Sequence, residues 1–387
     1  MSSFIPFNRP FLIGNELAYI ADAVNSGQLA GGGGYSRRCE EWMQREFGAG
    51  KVLLTPSCTA ALEMAAMLCG IEPGDEVITP SFTFVTTAGA FVLRGAKPVF
   101  VDIREDTLNL DETRVEAAIT PRTRAVVPVH YAGVGAEMDA LLAIARRRGL
   151  RVVEDAAQAV AATYRGRWLG TLGDLGCFSF HETKNFICGE GGALLINDPA
   201  LVERAEILRE KGTDRSKFFR GEKDKYTWVD IGSSFLPSEL QAAFLFAQLE
   251  QSARITARRM AIHARYQERL LPLEAAGRLR LPRIPAHCGH NAHLFHLLLN
   301  TPEERDAMLV FLKARGIGAV FHYVPLHTSP MGRTFGYGPG DFPVTESLSA
   351  RLLRLPCFYD LDDESHDRVC AGVMAFFAAG RSVTSGS

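Results

Sequence analysis

The segment EVITPSFTFVTTAGAFVLRGAKPVFVDI, residues 76–103, decides the fold of this chain. It begins with a short apolar run at residues 76–80 and ends with a second at residues 98–103, and both contain valine and isoleucine. A helical pattern lies between them at residues 86–94. Because β-branched residues favour strands and parallel strands need a long crossover, the segment predicts a strand–helix–strand unit of a parallel sheet.

The same alternation continues along the chain. Residues 125–130 and 151–155 are further apolar runs, and a helical pattern at residues 138–148 separates them. Residues 178–180 and 193–197 would extend the same sheet. The sequence therefore predicts an α/β fold with a mainly parallel sheet that is covered by helices on both faces.

A change of pattern indicates a second domain. A long helical stretch at residues 238–267 predicts a connector, and beyond it residues 294–299 and 307–315 predict a smaller α+β region. A chain of 387 residues is long enough for two domains. We expect a large domain with an N-terminal arm at residues 1–250 and a small C-terminal domain at residues 251–387.

Composition excludes several classes of partner. The chain has 42 basic and 44 acidic residues, so its formal net charge of −2 does not indicate nucleic acid or an anionic membrane as a partner. No apolar run reaches about 18 residues, and the N-terminal MSSFIPFNRP lacks the charged start and apolar core of a signal peptide. The eight cysteines are scattered without a CxxC pair, which predicts reduced thiols in a cytoplasmic protein.

One lysine has unusual neighbours in GCFSFHETKNFICGEGG, residues 176–192. Lys184 follows an apolar strand and precedes Gly189, Gly191 and Gly192, whereas most lysines lie in solvated surroundings. Burial disfavours the ammonium form and lowers the pKa, so such a lysine can be a neutral nucleophile that forms a Schiff base. The glycines would let the backbone approach a ligand closely.

Two further candidates lie at the ends of predicted strands, where parallel sheets bind ligands. Ser57, Cys58 and Thr59 open a helical pattern, and the unpaired amides of Cys58 and Thr59 could bind a phosphate, although a serine there can simply cap the helix. Asp155 ends its strand and precedes Gln158 by one turn, and this carboxylate can equally be a cap. With Lys184 they predict a site for pyridoxal 5′-phosphate (PLP), in which Asp155 keeps the pyridine nitrogen protonated.

These motifs resemble those of the DegT/DnrJ/EryC1/StrS family of sugar-nucleotide aminotransferases, over essentially the whole chain. The matching motifs include GGGGYSRRCEEW from Gly31, TPSCTAALEMA from Thr55, VVEDAAQA from Val152, FSFHETKN from Phe178 and HYVPLH from His322. The resemblance implies the PLP-dependent fold type I, which is similar to aspartate aminotransferase. It also implies a homodimer with active sites at the subunit interface.

The resemblance implies how the chain holds the ring of PLP. Lys184 is the residue that carries the cofactor covalently and acts as the catalytic base. Asp155 pairs with the pyridinium nitrogen, and Gln158 lies near the ring hydroxyl. Phe84 stacks on the ring, for which an aromatic face is a suitable platform.

It also implies how the phosphate of PLP is held. Cys58, Thr59 and Ser179 match the family's phosphate-binding positions. Ser234 matches a position where many relatives carry an asparagine that reaches the cofactor of the partner subunit. The serine departs from that pattern, although its hydroxyl could still reach a phosphate.

Two loops are implied in binding the sugar nucleotide. The resemblance places His322, Tyr323 and His327 near the substrate, and a solvated loop is the alternative. It also implies that the backbone at Gly32 and Gly33 approaches the substrate closely, and a flexible loop is the alternative.

Two polar segments each allow more than one interpretation. Basic residues within 215–225 are candidates for binding the nucleotide diphosphate, and a solvated charged loop is the second interpretation. The segment HCGHNAHLFH, residues 287–296, collects four histidines and a cysteine. Its order and spacing do not fit a closed tetrahedral metal site, so we expect no metal and a structural or interface strand instead.

Within the family, SFHETKN, residues 210–234 and NAHLFH are most similar to members of the enterobacterial-common-antigen pathway. This implies transfer of the amino group of L-glutamate to C4 of dTDP-4-dehydro-6-deoxy-D-glucose, giving dTDP-4-amino-4,6-dideoxy-D-galactose and 2-oxoglutarate. The alternatives are another nucleotide, C3 or the gluco configuration, and a non-catalytic PLP-binding sensor. Relatives that remove a hydroxyl carry histidine in place of Lys184, and no GxGxxG follows the early strands to indicate a dehydrogenase.

Overall fold

The structure is a computed structural model, and it describes residues 4–384. Residues 1–3 and 385–387 of the two predicted domains lie outside the described residues. The strands are β1 (Lys51–Thr55), β2 (Glu76–Pro80), β3 (Lys97–Val101), β4 (Thr123–Val126), β5 (Arg151–Asp155), β6 (Thr163–Tyr164), β7 (Arg167–Trp168), β8 (Leu175–Ser179), β9 (Gly192–Ile196), β10 (Leu279–Arg280), β11 (Cys288–Gly289), β12 (Phe295–Leu299) and β13 (Leu352–Leu355).

The helices alternate with these strands in the first half of the chain and dominate the second half. They are α1 (Glu16–Asn25), α2 (Gly34–Phe47), α3 (Cys58–Leu68), α4 (Val85–Val92), α5 (Glu112–Val115), α6 (Met138–Arg148), α7 (Val202–Arg209), α8 (Arg215–Phe219), α9 (Glu239–Glu250), α10 (Ser252–Ala275), α11 (Pro302–Ala314), α12 (Pro330–Arg333), α13 (Pro343–Arg351) and α14 (Asp363–Thr384).

The central sheet confirms the predicted α/β fold. Its seven strands lie in the order β1-β9-β8-β5-β4-β2-β3. The neighbours from β8 through β5, β4 and β2 to β3 are parallel, whereas β9 runs antiparallel to both β1 and β8. The sheet is therefore mainly parallel, with one reversed strand inserted near its edge.

Both faces of this sheet are buried. Along β1 the side chains of Val52 and Leu54 enter one hydrophobic core, and Leu53 between them enters a second core on the opposite face. This follows from the period of two along a strand. Helices cover both cores, which explains why the parallel strands read as continuous apolar runs.

The C-terminal region has its own three-stranded antiparallel sheet, in the order β10-β12-β13. Its core contains Tyr266, Phe295 and Met308. The long helix predicted at residues 238–267 is wrong as one element, because α9 ends at Glu250 and α10 begins at Ser252. Most of α9 packs on the large sheet and most of α10 on the C-terminal core, so the chain breaks between them. We propose this break as the domain boundary.

The direction of the strands gathers the predicted site residues at one edge. Parallel strands end at the same edge of a sheet, so the chain leaves β1, β2, β5 and β8 there, at Thr55, Pro80, Asp155 and Ser179. The antiparallel β9 begins at this edge, at Gly192. Ligands bind at this edge in open parallel sheets.

A buried glutamate fixes the end of β5. The carboxylate of Glu154 is inaccessible to solvent and accepts hydrogen bonds from the backbone amides of Gly170, Leu172 and Gly173 at 2.8, 2.6 and 2.7 Å. It also lies 2.8 Å from Nε2 of His130. This one side chain therefore holds the loop before β8 against the strand that carries Asp155.

We predict that Glu154→Ala lowers the free energy of unfolding by about 3 kcal/mol, because three buried amides lose their acceptor. Urea unfolding of the cofactor-free protein measures the change. The matched control is Glu268→Ala on the exposed face of α10, which should change stability by less than about 0.5 kcal/mol. A Glu154→Ala protein within about 1 kcal/mol of the parent would contradict this account of the loop.

Candidate active site

A cavity of about 580 Å³ lies at the carboxyl edge of the central sheet. It collects most of the residues that the sequence singled out. The predicted residues that line it are Cys58, Thr59, Phe84, Asp155, Gln158, Ser179, Lys184, His322 and Tyr323.

Lys184 lies on a tight turn after β8, and its backbone amide donates to the carbonyl of His181 at 2.9 Å. Burial lowers the pKa of the ε-amine from its ordinary value of 10.5, and the nearby Cys58 and Asp155 side chains oppose that shift. No hydrogen bond or ion pair from another residue within 4–384 occupies the amine. Lys184 is thus an amine shifted toward its neutral, nucleophilic form and open to a ligand.

The start of α3 offers amides to the same cavity. The side chain of Ser57 accepts from the backbone amide of Ala60 at 3.1 Å, so Ser57 is a helix cap. The first amides of a helix have no partner within it, which leaves those of Cys58 and Thr59 available at the positive end of the helix dipole. The capping and phosphate-binding interpretations are compatible. The cap uses the side chain of Ser57, and a phosphate would use the backbone amides of Cys58 and Thr59.

Two of the glycines after Lys184 are required by the packing of the chain itself. A Cβ on Gly192 would lie 2.4 Å from the backbone nitrogen of Cys58, so only glycine lets β9 begin beside the start of α3. A Cβ on Gly191 would lie 2.3 Å from the sulfur of Cys188. The sequence predicted a close approach of this backbone to a ligand. The structure shows that Gly192 lies close to the start of α3 and that Gly191 lines the cavity, and the approach to a ligand stays a prediction.

The carboxylate of Asp155 is buried and held in one orientation. Its Oδ2 accepts from Oγ1 of Thr87 at 2.6 Å, and its Oδ1 accepts from the amide of Ala157 at 3.1 Å. The hydroxyl of Thr87 is also 2.7 Å from that of Thr83. A carboxylate fixed in this way can accept a further hydrogen bond from a cationic N–H in the cavity.

Gln158 and Tyr323 form a second oriented pair. Oε1 of Gln158 accepts from the amide of Ala132 at 2.7 Å, so its Nε2 donates to the hydroxyl of Tyr323 at 2.9 Å. The ring of Phe84 lies 6.4 Å from that of Tyr323, and Phe84 is 56% exposed at the mouth of the cavity. An exposed aromatic ring in this place can cover a planar ligand.

The two histidines of HYVPLH have different positions. His322 lines the cavity with its Nδ1 3.2 Å from the hydroxyl of Tyr131, and burial lowers its pKa well below the ordinary range. The structure does not bring His327 to the cavity. Its ring is fully buried, with Nδ1 2.6 Å from Oγ of Ser81 and Nε2 3.0 Å from Oε1 of Glu346. Because both nitrogens are engaged, His327 anchors the loop that carries Tyr323.

The glycine-rich loop is also held by the chain's own polar groups. The buried carboxylate of Glu239 accepts from the amides of Gly33 and Tyr35 at 2.9 and 2.7 Å. A Cβ on Gly33 would lie 2.6 Å from the carboxyl carbon of Glu239, so this glycine is needed for that contact. Gly32 and Gly33 do not line the cavity, and neither does Ser234, which is exposed.

Several residues that line the cavity were not assigned to the site from the sequence, and His293 and Arg354 are two of them. His293 is buried with its Nδ1 3.0 Å from Oδ1 of Asn185, the residue next to Lys184. Arg354 projects into the cavity from β13. The signal for the second was a single arginine within the apolar run LLRLP, residues 352–356.

The contacts of the two polar segments favour structural roles. Basic residues within 215–225 form ion pairs with acids of the same chain, which favours a charged surface loop: Arg215 with Glu210, Lys217 with Glu203, Arg220 with Glu206 and Lys223 with Asp214. In the segment at residues 287–296, His290 packs on His263, with ring centroids 4.5 Å apart, and His287 pairs with Glu137.

Metal-binding and membrane-spanning features are both absent from residues 4–384. No group of three or more histidine, cysteine, aspartate or glutamate side chains is arranged there to hold a metal ion. None of the helices in that part of the chain is both long and apolar enough to span a membrane.

The sheet, the lysine and the carboxylate together define a PLP-dependent enzyme of fold type I. The family model of the DegT/DnrJ/EryC1/StrS aminotransferase family matches residues 11–374, and the chain belongs to this family. It is therefore a PLP-dependent sugar aminotransferase.

Solved structures support this assignment. The chain is 36% identical to DesV of S. venezuelae, with 97% of this chain and 99% of that chain covered and a TM-score of 0.88. It is 33% identical to the aminotransferase TlmJ of Streptoalloteichus hindustanus, with the same coverage and a TM-score of 0.89. The sugar aminotransferase Spr1654 of Streptococcus pneumoniae, solved in a PLP form, is 26% identical, with 96% and 98% covered and a TM-score of 0.89.

We predict that Asp155→Asn lowers the pKa of the Lys184 amine further, because the carboxylate that favours the ammonium is removed. The pH dependence of acetylation of Lys184 in the cofactor-free protein, followed by peptide mass spectrometry, measures the midpoint, which should move to lower pH.

The matched control is Glu190→Gln, which removes an exposed carboxylate that also lines the cavity and lies 3.6 Å from His181. It should leave the midpoint of Lys184 where it is. An unchanged or higher midpoint in Asp155→Asn would show that Asp155 does not act on this amine.

Proposed function

We propose that the protein transfers the amino group of L-glutamate to C4 of dTDP-4-dehydro-6-deoxy-D-glucose. The products would be dTDP-4-amino-4,6-dideoxy-D-galactose and 2-oxoglutarate. The observation that carries the aminotransferase chemistry is the amine of Lys184, open in a cavity between a helix start and an oriented carboxylate. The sugar, the nucleotide and the position of amination rest on the resemblance of three segments.

The residues of the cavity fit PLP. The free amides of Cys58 and Thr59, with the hydroxyl of Ser179, would hold the phosphate, because helix starts favour anions. Asp155 would accept the hydrogen bond of the ring nitrogen, and Lys184 would carry the cofactor covalently. When bound, PLP supplies an electron sink for the carbon that loses or gains a proton.

Hydrogen bonds from neighbouring residues keep these cofactor-binding groups in position. Thr87 and the amide of Ala157 orient the carboxylate of Asp155, so it need not reorganise when it meets the ring nitrogen. Gln158 is fixed by Ala132 and would contact the ring hydroxyl. Phe84 at the mouth would cover one face of the ring.

Lys184 also moves the protons. Its ε-amine, once released, would take the proton from the α-carbon of glutamate and later deliver a proton to C4 of the sugar. A base must be unprotonated to do the first of these, and burial lowers the pKa of this amine in the required direction. The face from which Lys184 delivers its proton would set the configuration at C4.

The substrate assignment has three supports. SFHETKN, residues 210–234 and NAHLFH are similar to family members that make the galacto product. The first and third of these segments contribute Lys184 and His293 to the cavity. His322 and Tyr323 also line it and would contact the sugar.

We also propose a homodimer with shared active sites. Ser234 is exposed and does not line the cavity of its own subunit, as expected for a residue that would serve the cofactor of the partner subunit. Trp228 is 78% exposed and Phe219 is 67% exposed in the same segment. Large exposed apolar side chains are typical of a surface that another protein covers. The location in the cytoplasm stays a prediction.

We predict that the purified protein, given L-glutamate and dTDP-4-dehydro-6-deoxy-D-glucose, forms an amino sugar with an axial amine at C4, as determined by NMR. Lys184→Ala should form no product, because it lacks both the attachment point and the proton carrier.

Different products would separate the candidate functions. An equatorial amine at C4, or an amine at C3, would contradict the galacto assignment and leave the aminotransferase intact. If the protein binds PLP but forms no product from this or any other nucleotide keto-sugar, the result would favour the non-catalytic PLP-binding sensor. Full activity of Lys184→Ala would refute the role of the lysine.

A further inference from the structure

All but one of the polar groups of His293 are paired within the chain. Its Nδ1 lies 3.0 Å from Oδ1 of Asn185, and its backbone amide donates to Oδ1 of Asn291 at 3.0 Å. Arg259 donates to its carbonyl at 2.6 Å. The ring lines the cavity, and within residues 4–384 no hydrogen bond reaches its Nε2. Nε2 is therefore the nitrogen that is left for a ligand.

The contact with Asn185 decides which ring nitrogen of His293 carries the hydrogen. Nδ2 of Asn185 donates to the backbone carbonyl of Asn291 at 2.8 Å, so its Oδ1 is the atom that faces the imidazole. An amide oxygen can only accept, so Nδ1 of His293 carries the hydrogen. Burial lowers the pKa of this imidazole well below its ordinary value, and nearby cations lower it further. The ring is thus neutral, and its Nε2 is a hydrogen-bond acceptor.

A second histidine of the cavity has the opposite tautomer. Nδ1 of His181 accepts from the backbone amide of Thr183 at 3.2 Å, so the hydrogen of this ring is on Nε2, which lies 3.6 Å from a carboxylate oxygen of Glu190. The two rings are therefore not equivalent. His181 has a donor that faces a carboxylate of its own chain, whereas His293 has an acceptor without a partner.

This acceptor lies near the reacting atoms. Asn185, which orients the ring, is the residue after Lys184. His293 is also close enough to Lys184 for a positive charge on the lysine to lower the pKa of the imidazole. A ligand group that donates to Nε2 must therefore lie beside the carbon to which Lys184 delivers its proton.

Of the two proposed substrates, only the sugar has a suitable group there. L-Glutamate at neutral pH has no N–H or O–H besides the amine that it transfers, because both of its carboxyl groups are ionised. The keto-sugar has hydroxyls, each of which can donate one hydrogen. Next to the C4 ketone, C3 bears a hydroxyl and C5 bears none.

We propose that His293 binds the keto-sugar by accepting a hydrogen bond from the 3-hydroxyl at Nε2. The contact would orient C4 toward Lys184 in the second half of the reaction. His293 would thus select sugars that carry a hydroxyl beside the ketone. This proposal rests on the proposed function, because it assigns a subsite to the sugar.

Two substitutions separate the roles of the two ring nitrogens. His293→Asn places an amide near the position of Nδ1, so it keeps a contact with Asn185 and removes the acceptor from the cavity. His293→Gln places an amide near the position of Nε2, so it keeps an acceptor in the cavity and loses the contact with Asn185. A sugar-binding role and a purely structural role therefore predict opposite results for this pair.

We predict that His293→Asn weakens the binding of dTDP-D-glucose, which has the hydroxyls but no ketone, about 10-fold, because a hydroxyl loses its buried acceptor. His293→Gln should change this affinity less than about 3-fold. Calorimetry with the amine-loaded protein measures both, and dTDP, which lacks the hexose, should bind equally to all three proteins. The half-reaction with L-glutamate, followed by visible absorption of the cofactor, should change less than about 3-fold in both variants.

A deoxy substrate and a control variant complete the test. With the parent, loss of the 3-hydroxyl from the keto-sugar should itself lower kcat/KM about 10-fold, a result that needs no variant. His293→Asn should then lower kcat/KM for the 3-deoxy sugar by less than about 3-fold, since the contact is already absent. His287→Asn removes a histidine that pairs with Glu137 outside the cavity, and it should bind dTDP-D-glucose as the parent does.

Normal binding of dTDP-D-glucose by His293→Asn would overturn the proposal, and a loss in His293→Gln alone would show that the ring acts only through Asn185. An equal loss in both half-reactions would also overturn it, because Nε2 would then serve Lys184 and not the sugar. These results leave the proposed function intact if the parent makes the amino sugar. A parent that forms no amino sugar would instead contradict the proposed function itself.

Discussion

The burial of one lysine amine beside a single oriented carboxylate is the constraint on which the site depends. Burial lowers the pKa of Lys184, and Asp155 limits that shift. An amine whose pKa is lowered in this way can attack an aldehyde and can later transfer protons to and from carbon. The sheet makes the juxtaposition possible, since β5 and β8 are parallel neighbours and end at the same edge.

Packing and hydrogen bonds in the rest of the site hold Lys184, Asp155 and the start of α3 in place around the cavity. Gly192 lets the reversed strand β9 begin against the start of α3, which brings the helix amides to the cavity. Glu154 holds the loop before β8, and His293 contacts Asn185, the residue after Lys184. Each of these contacts joins chain segments that are distant in sequence.

The sequence predicted those features of the fold and the site that depend on local patterns of residues. The periodicity of apolar runs indicated the mainly parallel sheet, and strand ends indicated the positions of Asp155 and Lys184. It could not show which polar residues near those ends turn toward the cavity, because that depends on tertiary contacts. His327 has the composition of a site residue, but its ring is engaged by Ser81 and Glu346. Arg354 lies in an apolar strand and faces the cavity.

The central claim is that Lys184 holds PLP covalently. The most direct measurement is reduction of the PLP-loaded protein with borohydride, followed by digestion and mass spectrometry of the peptides. We expect a stable pyridoxyl adduct on the peptide that contains Lys184, with loss of the visible absorption band. A colourless protein after incubation with PLP, or an adduct only on lysines outside that peptide, would contradict the account.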